Sequence, residues 1–490
     1  MQQSFWVLTL AVLITKVGFA NCVVFNSNET PATPKADVLY HLLTNEKTCA
    51  QNVVEFKGII KSRGLSDSVS MVANRGRNNP ELGSFSFFEE VTGDALGFSL
   101  SNGQFFFGHF TDVVSGEIVL DQTPGRRKLL IELIVWDFSK QLYNFYELIS
   151  LNGSAKWFYR GDSADALADN QYLHRDPPTG TAKFGSRMRC SGCHSSGGPI
   201  MKELTAPHND WWTETRPLVF APNVLSVQVK SWMRDLEDAK NLADGVKIGI
   251  QNLHKSETYR KNLANLSLQE QLRPLFCTVE INIESDRQPL VGSNNQMLVP
   301  SAFFINPLLA SNAVTFGKSS YVQLLNANNM KFPETPNQDA DHGWLTPVKG
   351  FSDLAAIEKL IENGTIDGEF AADVLAVDFQ NPLLSAKRCR LLKSIPQSKT
   401  DWLPQFISKL KENPAAEARS LLAHLTQSEL SATVHRQKAE TYVHQRHDDE
   451  SAFKHLLQLR SGIFKDEIST NPMGQILEPG FRLIFPVPQR

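Results

Sequence analysis

The chain has 490 residues, and 41% of them are hydrophobic, so it is long enough to form two or three domains with buried cores. Charged residues make up 21% of the chain and nearly cancel, which leaves a formal net charge of -3. This balance argues against the clustered basic surface of a nucleic-acid-binding protein, and it gives no support for binding to anionic membranes.

The N-terminus has the pattern of an export signal. An apolar run at residues 6–14 is followed by Gly18 and Ala20, and small residues at these positions are typical of a signal-peptidase site. Residues 1–20 are therefore predicted to be a cleavable signal peptide. A membrane anchor is the alternative, but a spanning helix needs about twenty apolar residues. We expect the mature chain to be a soluble bacterial protein, periplasmic or secreted, without a transmembrane segment.

The first half of the mature chain is predicted to be rich in β-strands. A lead segment at residues 21–50 contains one short helix near residues 36–44. From about residue 53 to residue 150, runs of aromatic and β-branched residues alternate with turn residues. The predicted strands cover residues 84–88, 104–110, 117–120, 128–138 and 142–149. An antiparallel sheet or small sandwich over residues 21–175 fits this pattern.

Residues 160–186 form a polar stretch that is predicted to be a surface connection. Its acidic residues leave calcium binding as an alternative, because calcium prefers clustered oxygen ligands. Helical patterns dominate after residue 211, and Ser267 with Glu270 forms a capping-box pattern. Predicted helices cover residues 224–239, 353–361, 402–410 and 416–425. A final strand is predicted at residues 481–487, and the fold class is α+β.

The most informative motif is Cys190-Ser-Gly-Cys193-His194, the Cys-x-x-Cys-His pattern of covalent haem attachment. Each thiol of such a pair adds to one vinyl group of the haem, and the histidine that follows lies beneath the iron as an axial ligand. Half of a zinc site and a thiol redox pair are the alternatives. Zinc would need two further ligands, and a polar loop rather than a strand precedes the motif.

Residues 190–201 resemble the cytochrome c family. In that family a Gly-Pro pair follows the histidine, and Gly198-Pro199 matches it. The resemblance implies that the carbonyl of Pro199 accepts a hydrogen bond from the His194 ring and that Met201 packs on the haem edge. It further implies one covalent haem c within a mainly helical, cytochrome c-like region over residues 176–350. A helical C-terminal region over residues 351–490 completes the expected domains.

The second axial ligand of the iron is less well marked. Met330 lies in a polar loop with a proline neighbour, which is similar to the methionine loops of the same family, and it is our candidate. Met297 is the runner-up, His208 and His342 are histidine alternatives, and an open sixth position also fits the sequence.

Four cysteines remain besides the motif, an even number in a chain predicted to be exported. The pairing that keeps each bridge local joins Cys22 to Cys49 and Cys277 to Cys389. The alternative is that Cys277 and Cys389 are buried free thiols.

A histidine-rich stretch near the C-terminus contains His435, His444, His447 and His455. His444 and His447 are three residues apart and could share a helix face that binds a metal. A solvated amphipathic helix is the alternative that we favour.

These observations predict an exported monohaem protein that transfers electrons with a redox partner protein or a small-molecule oxidant. A haem-dependent oxidoreductase of the peroxidase or oxygenase type is the alternative, with His342 of the stretch Asp341-His342-Gly343-Trp344 as acid–base machinery. A haem-based sensor or binding protein is the third hypothesis.

Overall fold

The structure is a computed structural model that describes residues 21–73, 85–110, 112–114, 117–119, 121–170, 194–200, 239–284, 296–317, 346–383 and 385–452, with residues 319, 320, 323, 327 and 454. Several predictions fall outside these residues: the signal peptide at residues 1–20, most of the helix at residues 224–239, the strand at residues 481–487, and the side chains of Cys190, Cys193, Met201, His208, Met330, His342 and His455.

The N-terminal part of the chain is built around one eight-stranded sheet. Its strands are joined in the order β1-β10-β9-β8-β5-β3-β2, with β4 on β3, while β6 and β7 form a separate pair. Neighbours are antiparallel except β1, which runs parallel to β10. The strands are β1 (Val24–Phe25), β2 (Ser66–Ala73), β3 (Phe85–Ala95), β4 (Phe98–Leu100), β5 (Phe105–Phe110), β6 (Asp112–Val114), β7 (Glu117–Val119), β8 (Lys128–Asp137), β9 (Leu142–Leu151) and β10 (Ser154–Asp162).

Helices cover both faces of this sheet. On one face lie α1 (Val38–Thr44) and α2 (Val53–Ser62), which share a core with alternate residues of β5 and β8. On the other face lie α3 (Ser163–Asn170), α4 (Ala239–Lys255) and α5 (Glu257–Asn265). Because side chains alternate across a strand, each central strand contributes apolar residues to both cores.

Two predictions for this part were wrong. Residue 53 begins helix α2 rather than a strand region, since Asn52 caps the helix by accepting a hydrogen bond from the amide of Glu55. The polar stretch after residue 160 is not entirely a loop: β10 continues to Asp162, and this carboxylate accepts the amide N–H groups of Ala164 and Asp165 at the start of α3. In both places a side-chain cap, rather than hydrophobic periodicity, sets where the helix begins.

The C-terminal part is mainly helical, as the sequence predicts, with a core of its own. Ser267 caps the first helix by accepting a hydrogen bond from the amide of Glu270, which confirms the predicted cap. Its helices are α6 (Leu268–Phe276), α7 (Phe351–Glu362), α8 (Gly368–Ala376), α9 (Ala386–Leu391), α10 (Trp402–Glu412), α11 (Ala416–Thr426) and α12 (Ala432–His444). Two small antiparallel pairs join β11 (Ile281–Glu284) to β14 (Thr346–Lys349) and β12 (Gln296–Val299) to β13 (Val314–Gly317).

Two disulfides join the remaining cysteines in the predicted pairing. Cys22 and Cys49 are linked at 2.10 Å, and Cys277 and Cys389 at 2.01 Å. The α+β fold class is confirmed, because a strand-rich region precedes a helical one. Within the described ranges, no helix has the length and apolar character that crossing a membrane requires.

Candidate functional site

The His194 side chain is held in one defined orientation. Its Nδ1 lies 2.8 Å from the carbonyl oxygen of Gly198, and because a carbonyl only accepts, Nδ1 is the donor. Desolvation lowers the pKa of His194 to about 4, against the opposing effect of the Gly198 bond. The ring is therefore neutral at pH 7, and its lone pair is on Nε2, the nitrogen with which a histidine of this tautomer binds a metal.

The acceptor of this hydrogen bond differs by one residue from the one that the family resemblance implies. The ring bonds to the carbonyl of Gly198 and not to that of Pro199. The cause is a tight turn, in which the amide of Gly197 donates to the carbonyl of His194 at 2.8 Å and brings the next carbonyl to the ring. Pro199 is buried against helix α4, where a Cβ on Gly249 would lie 2.8 Å from its Cγ.

Gly197 is required at its position by the neighbouring backbone. Its φ is 77°, in the left-handed region, and a Cβ there would lie 2.6 Å from the carbonyl oxygen of Ser163. The Ser163 hydroxyl donates to the carbonyl of Gly197 at 2.7 Å and accepts the amide of Tyr143 at 2.9 Å. The His194 loop (residues 194–200) is thereby joined to the sheet at the junction of β10 and α3.

Ser196 joins the same loop to the helical elements. Its carbonyl accepts a hydrogen bond of 2.6 Å from the hydroxyl of Tyr259 on α5. Its hydroxyl lies 3.1 Å from Oε2 of Glu280 and 3.3 Å from the hydroxyl of Ser352 on α7. The carbonyl and the hydroxyl of Ser196 are therefore paired with groups that the sequence places 63 to 156 positions away.

Apolar side chains lie beside the His194 ring and its loop. The Phe145 ring of β9 lies 5.2 Å from the His194 ring, centroid to centroid, and is tilted by 52°. Leu253 of α4 lies close to Gly198, since a Cβ there would be 3.3 Å from a Leu253 methyl. The low polarity of these neighbours explains why the pKa of His194 is lowered.

The chemistry of this arrangement fits an axial haem ligand. A neutral imidazole whose Nδ1 donates to a backbone carbonyl has the tautomer and fixed orientation that metal-bound histidines have. The two cysteines predicted to attach the haem, Cys190 and Cys193, lie four residues and one residue before His194 in the sequence. They lie outside the described residues, as does Met201, so the structure places His194 and Pro199 of the five residues predicted for this side of the haem.

The side chains predicted as candidates for the second axial ligand all lie outside the part of the chain that the structure describes. Met297 belongs to β12, and its side chain lies outside the described part of the structure. Met330, His208 and His342 are outside it as well.

His444 and His447, the two C-terminal histidines considered as a possible metal pair, have structural contacts. Their rings lie 5.3 Å apart, and Nδ1 of His447 accepts the amide of Thr315 at 3.0 Å, which ties the end of α12 to β13. In the described ranges, no group of three His, Cys, Asp or Glu side chains is arranged to hold a metal ion.

Sequence reasoning missed three residues that hold the loop: Ser163, Tyr259 and Glu280. Only Glu280 has a sequence signal, because it is an acidic residue between two apolar residues, Val279 and Ile281. The other two are ordinary in type and act through distant contacts.

Neither protein-family models nor comparisons with curated proteins and with solved structures gave a match to this chain.

Proposed function

We propose that this chain is an exported protein that binds one haem c covalently through Cys190 and Cys193 and transfers electrons with a redox partner. The observation that supports the proposal most is the His194 ring, which is neutral and held through Nδ1 directly after the Cys-x-x-Cys pair. When bound, haem supplies an iron that changes between two oxidation states.

The protein's own residues would orient and shield this ligand. The carbonyl of Gly198 fixes the imidazole, and Phe145 reduces the polarity beside it. Two disulfides are compatible with an oxidising compartment such as the bacterial periplasm. The electron partner is proposed as a redox protein or a small-molecule oxidant.

Covalent attachment is tested by producing the full chain with c-type haem-attachment machinery. The wild type should give a haem-stained band on a denaturing gel and an absorbance spectrum of haem c. Cys190→Ala with Cys193→Ala should give neither, while the matched control, Cys22→Ala with Cys49→Ala, should retain both. A wild type without haem, or a motif variant that retains it covalently, would overturn the proposal.

The electron-transfer assignment is tested by a second measurement on the same protein. An oxidised spectrum of six-coordinate, low-spin iron that resists cyanide supports a carrier. High-spin iron that binds cyanide and turns over peroxide would overturn the carrier assignment and favour the oxidoreductase.

A further inference from the structure

Glu280 is a buried carboxyl group that touches the His194 loop. It is 2% exposed, and its Oε2 accepts a hydrogen bond of 3.1 Å from the Ser196 hydroxyl. Its own backbone is fixed, because its amide donates to Asp353 at 3.1 Å and its carbonyl accepts the amide of Gly350 at 2.8 Å. A Cβ on Gly350 would lie 2.7 Å from that carbonyl, so the two segments are in close contact.

The groups that face Glu280 do not neutralise its charge. Asp353 is paired with Lys349 at 2.6 Å and also accepts the amide of Val279. Tyr259, on α5, faces it as a neutral phenol. No cationic side chain pairs with Glu280 in the described ranges, and Ser196 and Ser352 give it hydrogen bonds only. Burial, with Asp353 second, raises the pKa of Glu280 to about 8.

Glu280 is linked to the predicted iron ligand, His194, through Ser196. Its carboxylate touches Ser196, which is two residues from His194, and two residues span at most about 7 Å. Hydrogen bonds hold both ends of the segment from His194 to Ser196: Nδ1 of His194 donates to the carbonyl of Gly198, and the hydroxyl of Tyr259 donates to the carbonyl of Ser196. A charge on Glu280 is therefore near the site, in surroundings that screen it poorly.

We propose that Glu280 is a positioning residue of the haem site, which holds the His194 loop through Ser196 and exchanges a proton with solvent as the site changes oxidation state. This inference rests on the proposed function. In the pH range around its pKa values in the two oxidation states, Glu280 takes up a proton from solvent, at most one per electron, when an electron arrives from the redox partner or electrode, and it returns the proton to solvent when the electron leaves.

The direction of the coupling follows from charge. The oxidised site has one more positive charge, so it favours the carboxylate and lowers the pKa of Glu280 relative to the reduced site. By linkage, loss of the proton favours the oxidised state by the same amount. The midpoint potential therefore falls as the pH rises through the two pKa values. A tenfold change in proton affinity between the two states corresponds to about 59 mV for one electron.

The test is a redox titration of the haem-loaded full chain, followed by absorbance with mediators, at a series of pH values around 8. The wild-type midpoint potential should fall with pH by an amount on the order of 59 mV. Glu280→Gln, which remains neutral, should keep the wild-type low-pH potential throughout. Asp373→Asn is the matched control, because burial also raises the pKa of Asp373, to about 7, on helix α8 away from the loop.

Ser196→Ala gives a second readout if Glu280→Gln does not fold. The Ser196 hydroxyl bonds to Glu280 and lowers its pKa, so its removal should move the fall in potential to higher pH. A haem-loaded wild type with no pH dependence around 8, or a Glu280→Gln variant with the wild-type dependence, would overturn this inference and leave the proposed function standing. A wild type without covalent haem would overturn both.

Discussion

Alanine at position 197 perturbs the His194 loop at one backbone position. Gly197 has a φ of 77°, and the added methyl would lie 2.6 Å from the carbonyl oxygen and 2.9 Å from the Cα of Ser163. These are backbone atoms at the junction of β10 and α3, and they cannot rotate away as a side chain could. The loop must therefore shift, and the hydrogen bond from the Ser163 hydroxyl to the Gly197 carbonyl should weaken.

The size of the effect follows from three contributions. The left-handed conformation costs an alanine roughly 1–2 kcal/mol. Inserting a methyl into a well-packed site costs about 1–3 kcal/mol. The lower entropy of the unfolded alanine chain offsets about 0.4–1 kcal/mol. The net loss in stability of the loop is therefore about 1–4.6 kcal/mol, which corresponds to a rise in local opening of roughly 5- to 2,000-fold.

Amide hydrogen exchange measured by mass spectrometry on a peptide that contains residues 194–200 follows this opening directly. The amide of Gly197, which donates to the carbonyl of His194, should exchange faster by that factor in Gly197→Ala. Gly198→Ala is the matched control: its backbone is not in the left-handed region, and its Cβ would lie 3.3 Å from a side-chain methyl of Leu253 rather than from backbone, so its exchange should change by less than about fivefold. Equal acceleration in the two variants would refute the backbone argument.

Three further results are expected. Removing the bridge between Cys277 and Cys389, which spans 112 residues, should lower the free energy of unfolding in urea by about 4–5 kcal/mol. Removing the bridge between Cys22 and Cys49, which spans 27 residues, should lower it by about 3–4 kcal/mol. A smaller loss for the longer bridge would contradict this expectation. Tyr259→Phe leaves the Ser196 carbonyl without its donor and should raise loop exchange by an amount equivalent to about 1–3 kcal/mol; unchanged exchange would count against the bond. Burial raises the pKa of Asp373 from 3.8 to about 7, so the contribution of this group to stability is present below about pH 4 and is lost as the pH rises through 7. Asp373→Asn should therefore flatten the pH dependence of the urea unfolding midpoint between these two values. An unchanged slope of midpoint against pH would contradict this expectation.

Much of the fold could be predicted from the sequence, because strand alternation and helix caps are local signals. The strands predicted near residues 104–110, 128–138 and 142–149 correspond to β5, β8 and β9. Helix α2 was missed because its residues Val53, Val54, Ile59 and Ile60 are β-branched and favour a strand, although Asn52 gave the opposite signal. The four-residue strands β11 to β14 are too short for periodicity to reveal them within a helical region.

The candidate site could be predicted from the sequence only in part, for a different reason. A motif of five residues predicts the proposed cofactor, because the attachment chemistry fixes the spacing of its residues. Glu280 and Ser352 meet Ser196 only after the chain has folded, across 84 and 156 residues. Such contacts depend on tertiary packing, for which a single sequence has no local pattern.

The length of the chain now has a physical interpretation. A small electron carrier needs far fewer residues than 490 to hold one haem. In this protein the His194 loop is held from two sides: by Ser163, at the end of β10, and Tyr259, on a helix that covers the sheet, and by Glu280 from the C-terminal helical part. Both parts of the fold therefore contribute to the orientation of one imidazole. We infer that separating the sheet from the helical part would remove the Glu280 contact and leave those of Ser163 and Tyr259, so under the proposed function a shortened chain should hold the haem with a less defined axial geometry than the full chain.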